Sequence, residues 1–232
     1  MTPGGRDRSP SSTRSFYARF GKRCFDGLCA FSGLLLLAPV LLGLGLAVFV
    51  SSGGPVFFRQ RRTGLGGRPF WIWKFRTMAN LGGGQEALVT AAGDSRITPF
   101  GRWLRRTKCD ELPQLVNVLK GEMSLVGPRP EVPYYTARYT ERQRAVLEMR
   151  PGITGPAATE YLAEERLLAR APDKEAFYVS VLLPEKLERD LGYARTLSFR
   201  GDLRLILNTL VRLAAGPPEI QKLTPRASRR EA

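Results

Sequence analysis

The chain has 232 residues, of which 43% are hydrophobic and 25% are charged, and its formal net charge is +15. This composition is typical of one folded domain, and the charge favours an anionic partner such as nucleic acid, anionic lipid or a phosphorylated substrate. Histidine is absent, which excludes a Ser-His-Asp triad and a His-ligated zinc centre. Three scattered cysteines (Cys24, Cys29 and Cys109) make no disulfide framework, so a reducing, cytosol-facing location fits best.

The N-terminal region predicts a short tail and then a membrane segment. Residues 1–20 are rich in Ser, Arg, Gly and Pro, which is typical of a disordered basic tail. An uncharged apolar run follows from Leu28 to Val50. As a helix, at about 1.5 Å per residue, this run is long enough to cross a bilayer.

Two interpretations of the apolar run remain open: a spanning helix, and a helix that enters the membrane and turns back. Pro39 at its centre removes a backbone donor, which predicts a kink or a break. Basic residues flank both ends, and the positive-inside tendency would keep both ends in the cytoplasm. We therefore favour a re-entrant hairpin over residues 21–55; the flanking residues are Arg19, Lys22, Arg23, Arg59, Arg61, Arg62 and Arg68.

The polar part of the chain begins with two predicted strands. Pro55–Gln60 and Pro69–Arg76 are aromatic segments on either side of a glycine-rich turn. The glycine-rich stretch Leu81–Gln85 lacks a following GK[ST], so a phosphate cradle is disfavoured there. The chain becomes helical from Pro99, and its basic residues form either a solvated helix face or a phosphate-binding surface: Arg102, Arg105, Arg106 and Lys108.

The acidic pair Asp110 and Glu111 is predicted to begin the next helix, where adjacent acids are most often capping residues. Here Arg105 precedes the pair, and Arg129 follows it between two prolines that fix its backbone. A fixed guanidinium suits phosphate, and a carboxylate can bind Mg²⁺ or attack phosphorus. Together with the absence of histidine, this arrangement indicates phosphoryl chemistry with a divalent metal.

The last predicted element is a basic amphipathic helix that Asp202 would cap and that extends through Ala214. Such a helix either lies on anionic lipid or packs on the core as an ordinary surface helix. Its apolar stripe would comprise Leu203, Ile206, Leu207 and Leu210, and its polar stripe Arg204, Asn208 and Arg212.

The chain resembles the bacterial sugar transferase family, the monotopic phosphoglycosyl transferases, over roughly residues 20–215. Several multi-residue motifs in one order make this resemblance specific. They are Lys22-Arg23-x-x-Asp26, Lys74-Phe75-Arg76-Thr77-Met78, Asp110-Glu111-Leu112-Pro113-Gln114-Leu115, Asn117-Val118-Leu119-Lys120-Gly121, Met123-Ser124-Leu125-Val126-Gly127-Pro128-Arg129-Pro130 and Pro151-Gly152-Ile153-Thr154-Gly155.

The resemblance implies a small α/β, mainly helical, membrane-associated fold. Its parts would be the tail at 1–20, the re-entrant membrane helix hairpin at 21–55, a catalytic domain at 56–215 with interfacial amphipathic helices, and a C-terminal tail at 216–232. The catalytic domain would face the cytoplasm at the bacterial inner membrane.

The resemblance also implies transfer of a sugar 1-phosphate from a UDP-sugar to a polyprenyl phosphate, usually undecaprenyl phosphate, with Mg²⁺ and release of UMP. This reaction starts assembly of O-antigen, capsule or exopolysaccharide. Asp110 would be the nucleophile that forms a sugar-phosphoryl aspartate. Glu111 would help it hold Mg²⁺, and Arg105 would act beside the phosphates. The substrate-binding positions would be Lys74, Arg76, Pro128, Arg129, Pro130 and Asp190.

Three departures from the family pattern stand out. Ala38 replaces the usual serine before Pro39, and Lys108-Cys109 replaces Ser-Leu before the acidic pair. Pro156–Tyr161 replaces a stretch that the resemblance implies faces the donor sugar. The alternatives are a membrane-anchored nucleic-acid binder and a non-catalytic glycan-assembly scaffold. We expect anionic membrane lipid as a further partner and no nucleic acid, and a homodimer is left open.

Overall fold

The computed structural model describes residues 16–79, 90 and 92–215. Most of the predicted basic tail, the glycine-rich stretch at 81–85 and the C-terminal tail at 216–232 lie outside the described residues. The described part is mainly helical and contains two small two-stranded sheets, which confirms the predicted fold class at that level.

One long apolar helix, α1 (Lys22–Ser52), follows a π-helical turn at Tyr17–Gly21. Pro39 lies inside α1, and the helix continues through it to Gly53, whose φ of 60° ends it. The segment is therefore a single helix, and the predicted hairpin is not confirmed. By length and composition α1 could cross a membrane.

One face of α1 packs along the rest of the protein. Ala30 near its start lies against Leu115, and Val48 near its end lies against Phe75 and Leu104. Both ends of α1 therefore contact the same folded unit. The opposite face exposes apolar side chains: Leu28, Phe31, Leu35, Leu36, Val40, Leu42, Leu46, Phe49 and Val50.

The two predicted aromatic strands pair as an antiparallel hairpin, β1 (Phe57–Thr63) and β2 (Pro69–Phe75). Side chains alternate along β2, so that Phe70 and Ile72 enter the core while Trp71 is exposed. The buried face of the hairpin packs on α1, which fixes β2 beside the acidic pair described below.

The acidic pair lies in a 3₁₀ turn (Cys109–Glu111) between α2 (Pro99–Thr107) and α3 (Gln114–Lys120). The predicted helix start at Asp110 is thus wrong by one turn. Lys108 has φ 58°, the left-handed region, and this reverses the chain directly after α2. Asp110 and Glu111 therefore belong to a separate turn rather than to the first turn of α3.

A second sheet pairs β3 (Ser124–Val126) with β4 (Gly152–Thr154) in parallel. Most of the remaining helices surround a core that includes Tyr135, Leu168, Leu182 and Leu187. The remaining helices are α4 (Pro133–Thr136), α5 (Glu141–Arg144), α6 (Pro156–Glu160), α7 (Glu164–Ala169), α8 (Lys174–Phe177), α9 (Leu183–Thr196) and α10 (Phe199–Ala214), with a 3₁₀ turn at Ala145–Glu148 and a π-helical turn at Tyr178–Leu182. The last of them, α10, packs through Thr209 on Thr154 and Thr159.

The start of α10 corrects another prediction. Ser198, not Asp202, caps this helix, because the Ser198 side chain accepts from the Gly201 N–H. Asp202 is instead fully buried inside the first turn. The predicted apolar stripe does face outward, and its exposed members include Leu203, Leu207 and Leu210.

Asn117 on α3 joins that helix to the edge of β2. Its Nδ2 donates to the Trp71 carbonyl at 2.8 Å and to Glu122 Oε2 at 2.7 Å, and its Oδ1 accepts from the Trp73 N–H at 3.1 Å. The residue is fully buried. It therefore supplies β2 with the backbone partners that a further strand would otherwise provide.

We expect Asn117→Ala to lower the free energy of unfolding by about 2 to 4 kcal/mol, because it removes a fully buried side chain and leaves an N–H and a carbonyl of β2 without their partners. Chemical denaturation in detergent measures the change. The control is Asn208→Ala on the exposed face of α10, which should change stability by no more than about 0.5 kcal/mol. Equal stability of the two variants would contradict this account of Asn117.

Candidate active site

Glu111 is held by two cations from distant parts of the chain. Its Oε1 accepts from Lys74 Nζ at 2.7 Å and from Arg129 Nη2 at 3.1 Å. Burial alone would raise the pKa of Glu111, but Lys74 and Arg129 hold this pKa well below its usual range. Glu111 is therefore ionised, and its charge keeps both cations in place.

Asp110 has the opposite character, although it is the neighbouring residue and equally buried. Its Oδ1 is buried and has no hydrogen-bond partner within the described part of the chain. Burial, and next the negative charge of Glu111, raise the pKa of Asp110, while Lys74, Lys108 and Arg105 partly oppose the rise. Asp110 thus presents a carboxylate oxygen that no side chain neutralises directly, in a cationic setting.

Arg105, in the last turn of α2, is fixed between two side chains near the pair. Its Nε donates to Thr77 Oγ1 at 2.9 Å and its Nη1 to Glu165 Oε1 at 2.7 Å. Thr77 belongs to the segment after β2, and Glu165 to α7. The structure therefore brings Arg105 close enough to influence Asp110 without a direct bond to it.

The backbone around Arg129 is fixed by the second sheet. The Gly127 N–H donates to the Thr154 carbonyl at 2.8 Å, and the Gly152 N–H to the Pro128 carbonyl at 2.8 Å. A Cβ on Gly127 would lie 2.3 Å from the Arg150 carbonyl oxygen, so only glycine allows this close approach. The backbone that leads into Arg129 is therefore held by the second sheet, and Pro128 and Pro130 on either side restrict it further.

Two predicted substrate-binding residues lie in other surroundings. The Arg76 guanidinium packs against Gly54, beyond the end of α1, and its Nη1 is buried without a hydrogen-bond partner among the described residues. Asp190 on α9 accepts from the backbone N–H of Ala157 at 3.3 Å and also from that of Arg129. Asp190 thus helps to hold the Arg129 backbone in place.

Sequence reasoning missed a buried charged network behind Arg129. Lys186 Nζ donates to Glu164 Oε2 at 3.0 Å, to Glu131 Oε1 at 3.3 Å and to the Tyr178 hydroxyl at 3.1 Å, while Arg62 lies 3.7 Å from Glu131. The sequence of α9 does contain a pattern that indicates this network. Leu183, Lys186, Leu187 and Asp190 follow the spacing of one helix face, which places two charged residues on a buried stripe.

The carboxylates of the acidic pair are suitable ligands for the predicted Mg²⁺, provided that water and substrate complete its coordination shell. Mg²⁺ prefers oxygen ligands and usually keeps waters and substrate phosphates in its shell, so one or two protein carboxylates suffice. Asp110 Oδ1 is buried and has no hydrogen-bond partner in the described part of the chain, so it has the chemistry of such a ligand. No group of three or more His, Cys, Asp or Glu residues that could hold a metal occurs in the described ranges, so a complete protein cage is not formed there.

We expect Asp190 to make stability pH-dependent. Burial raises the pKa of Asp190 from its ordinary 3.8 to about 7. The folded state therefore keeps its proton at pH values where the unfolded chain has lost it, so this stabilisation is full below about pH 4 and is lost as the pH rises through about 7. The Tm of the wild type should fall between about pH 4 and pH 7, and Asp190→Asn should reduce this fall. Exposed Asp173→Asn is the control; an unchanged fall in Asp190→Asn would contradict the prediction.

Comparison with known proteins identifies relatives of this chain. The family model described as bacterial sugar transferase matches residues 17–216. The UDP-glucose:undecaprenyl-phosphate glucose-1-phosphate transferase of Caulobacter vibrioides is 42% identical over 82% of this chain, and that of Xanthomonas campestris is 38% identical over 86%. A UDP-N-acetylgalactosamine-undecaprenyl-phosphate N-acetylgalactosaminephosphotransferase of Aeromonas hydrophila is 33% identical over 85%.

The matched region is a different fraction of the full length of each relative. The chain spans 68% of the Caulobacter protein, 40% of the Xanthomonas protein and 44% of the Aeromonas protein. The family match nevertheless covers α1, the acidic pair, the Arg129 motif and α10 together. The predicted family, and with it a transferase class, is confirmed: the chain belongs to the bacterial sugar transferase family.

Proposed function

We propose that the protein transfers a sugar 1-phosphate from a UDP-sugar to undecaprenyl phosphate and releases UMP. The observation that carries the proposal is that the two carboxylates of the buried acidic pair have different surroundings. Glu111 is neutralised by Lys74 and Arg129, whereas Asp110 has a buried oxygen without a hydrogen-bond partner in the described part of the chain. The names of the Caulobacter and Xanthomonas relatives support the same donor and acceptor classes.

In the first step, an Asp110 carboxylate oxygen attacks the β-phosphorus of the donor. A phosphorus–oxygen bond forms, the bond from that phosphorus to the bridging oxygen breaks, and UMP leaves with the electron pair. The raised pKa of Asp110 makes it a stronger base than an ordinary carboxylate once it is ionised. Lys74 and Arg129 stabilise the charge that develops on the phosphoryl oxygens.

In the second step, a phosphate oxygen of the polyprenyl acceptor attacks the same phosphorus. The bond to Asp110 breaks, the carboxylate is regenerated, and the product contains a new diphosphate linkage. Glu111 holds Lys74 and Arg129 toward the reacting phosphate throughout. Mg²⁺, held by Asp110 and Glu111 with substrate oxygens, would supply further neutralisation of phosphate charge.

The exposed apolar face of α1 supports membrane association at the cytoplasmic face of the bacterial inner membrane. A helix that spanned the bilayer would carry one of its ends to the far side, away from a domain on the near side. Ala30 and Val48 both pack on the same domain, which favours a monotopic arrangement. The exposed leucines and basic residues of α10 fit an interfacial helix on anionic lipid.

The competing functions are not favoured. A nucleic-acid binder would use the high positive charge, but it gives no reason for a buried acidic pair whose neighbours are phosphate-binding cations. A non-catalytic scaffold gives no reason for the Asp110 oxygen that lacks a partner. The donor sugar stays open, because the relatives named above act on UDP-glucose or on UDP-N-acetylgalactosamine.

We expect Asp110→Asn to abolish UMP release while the protein stays folded, because an amide cannot accept the phosphoryl group. The assay uses the membrane fraction, undecaprenyl phosphate, Mg²⁺ and a panel of UDP-sugars. Asp173→Asn, which removes an exposed carboxylate of the same type, should release UMP at the wild-type rate. Normal turnover in a folded Asp110→Asn variant would exclude Asp110 as the nucleophile.

We also expect both ends of α1 to be labelled from the cytoplasmic side. In a variant without other cysteines, the native Cys24 tests the start of the helix, and Arg61→Cys, at an exposed site in β1, tests the region after its end. A membrane-impermeant maleimide applied to sealed inverted vesicles should label both positions. Labelling from opposite faces would show that α1 spans the membrane.

A further inference from the structure

The motif Lys22-Arg23-x-x-Asp26 at the start of α1 makes three separate contacts with the rest of the protein. Each of its charged side chains binds a different element. From the sequence, Lys22 and Arg23 were interpreted as a flank of the membrane segment, and the whole motif as one of those that carry the family resemblance. The contacts show that the side chains of this motif also bind the folded domain.

Lys22 is bound to the buried start of α10. Its Nζ donates to Asp202 Oδ2 at 2.6 Å, and the Tyr17 hydroxyl donates to the same oxygen at 2.7 Å. The Tyr193 hydroxyl of α9 donates to Asp202 Oδ1 at 2.5 Å. Asp202 is fully buried, and these three donors satisfy it. The contact ties the N-terminal end of α1 to α9 and α10.

Arg23 binds the C-terminal end of α3. Its Nη1 donates to the Val118 carbonyl at 2.5 Å and its Nη2 to the Leu119 carbonyl at 2.8 Å. These carbonyls belong to the last turn of α3, where the Val118 carbonyl also accepts from the Gly121 N–H at 3.0 Å. A Cβ on Gly121 would lie 3.3 Å from Nη2, so glycine at this position leaves room for the guanidinium.

Asp26 binds the start of the second sheet. Its Oδ2 accepts from Ser124 Oγ at 2.7 Å and its Oδ1 from the Leu125 N–H at 3.0 Å. Asp26 is 2% exposed, so these contacts are shielded from water. Both donors lie on β3, the strand that leads into Arg129.

The two elements bound by Arg23 and Asp26 are the ones that carry the active site. The acidic pair lies in the turn directly before α3, and Arg129 follows directly after β3. We propose that Arg23 and Asp26 are positioning residues of the active site: they fix the distance between the acidic pair and Arg129 by holding α3 and β3 on the membrane helix. The proposal rests on the proposed function, since it concerns the same reaction.

Arg23→Lys separates this proposal from a simple membrane-flank effect. A flank that acts through its charge alone is indifferent to the exchange, because lysine keeps the charge. Lysine cannot bind two neighbouring carbonyls with one planar fork, so the contact with α3 is lost. We expect turnover to fall roughly ten- to hundredfold, because small displacements at a reacting centre are costly. The KM for the UDP-sugar should change by no more than about twofold.

The experiment measures UMP release, the amount of protein in the membrane fraction, and the Tm in detergent for the wild type and Arg23→Lys. The control is Arg68→Lys, an exposed arginine of the second basic flank, which should match the wild type in all three. A loss of kcat at wild-type Tm and membrane content supports the positioning proposal. Wild-type kcat in Arg23→Lys overturns it.

A second variant keeps the proposal testable if Arg23→Lys lowers the Tm. Asp26→Asn preserves the shape of the side chain and one carbonyl-type acceptor, and its activity is then compared per folded molecule below its own Tm. Full activity per folded molecule in Asp26→Asn would contradict the proposal. Failure of the proposed function has a different signature, namely no UMP release by the wild type with any UDP-sugar.

Discussion

The pairing of Glu111 with Lys74 and Arg129 is the interaction on which the rest of the site depends. Two adjacent carboxylates are costly to bury unless cations lie next to them. Glu111 recruits both nearby cations to one of its oxygens, at 2.7 and 3.1 Å. Asp110 is thereby left buried, close to positive charge and without a direct ion pair in the described part of the chain, which suits its proposed role as phosphoryl acceptor.

The two cations belong to separate elements of the fold. Lys74 comes from β2, whose edge is fixed by Asn117 of α3. Arg129 comes from the loop after β3, and its backbone is held by the second sheet and by Asp190. Positioning of the site is therefore a property of the whole domain. The membrane helix belongs to that scaffold, because it contacts α3 and β3 through Arg23 and Asp26.

Local pattern was enough to predict the two aromatic strands, the helix from Pro99 and the apolar stripe of α10, because each follows from side-chain periodicity and turn residues. It left open whether that stripe faces outward or packs on the core. Local pattern placed a helix start wrongly where a neighbouring residue caps the helix or turns the chain. Ser198 caps α10 in place of Asp202, and Lys108 turns the chain so that Asp110 lies outside α3. For α1, Pro39 and the two basic flanks favoured a hairpin over a spanning helix, whereas the structure has one continuous helix, so the hairpin is not confirmed.

The contacts that define the site could not be read from pattern, because their partners are far apart in sequence. Arg105 pairs with Glu165 and Lys186 with Glu131, and neither pairing has a local signature. The family motifs named Glu111 and Arg129, and the structure shows that these two side chains contact each other. The motifs did not indicate that Asp190, which was expected among the substrate-binding residues, accepts a backbone hydrogen bond from Ala157.

The most direct test of the central claim is the mass of the protein after reaction with the donor alone. Wild-type protein is incubated with Mg²⁺ and the UDP-sugar that supports UMP release, without the polyprenyl acceptor, and is then quenched and digested. The account predicts an added sugar phosphate on the peptide that contains Asp110, and no such addition in Asp110→Asn. UMP release that requires the acceptor, with no adduct on any peptide, would contradict it.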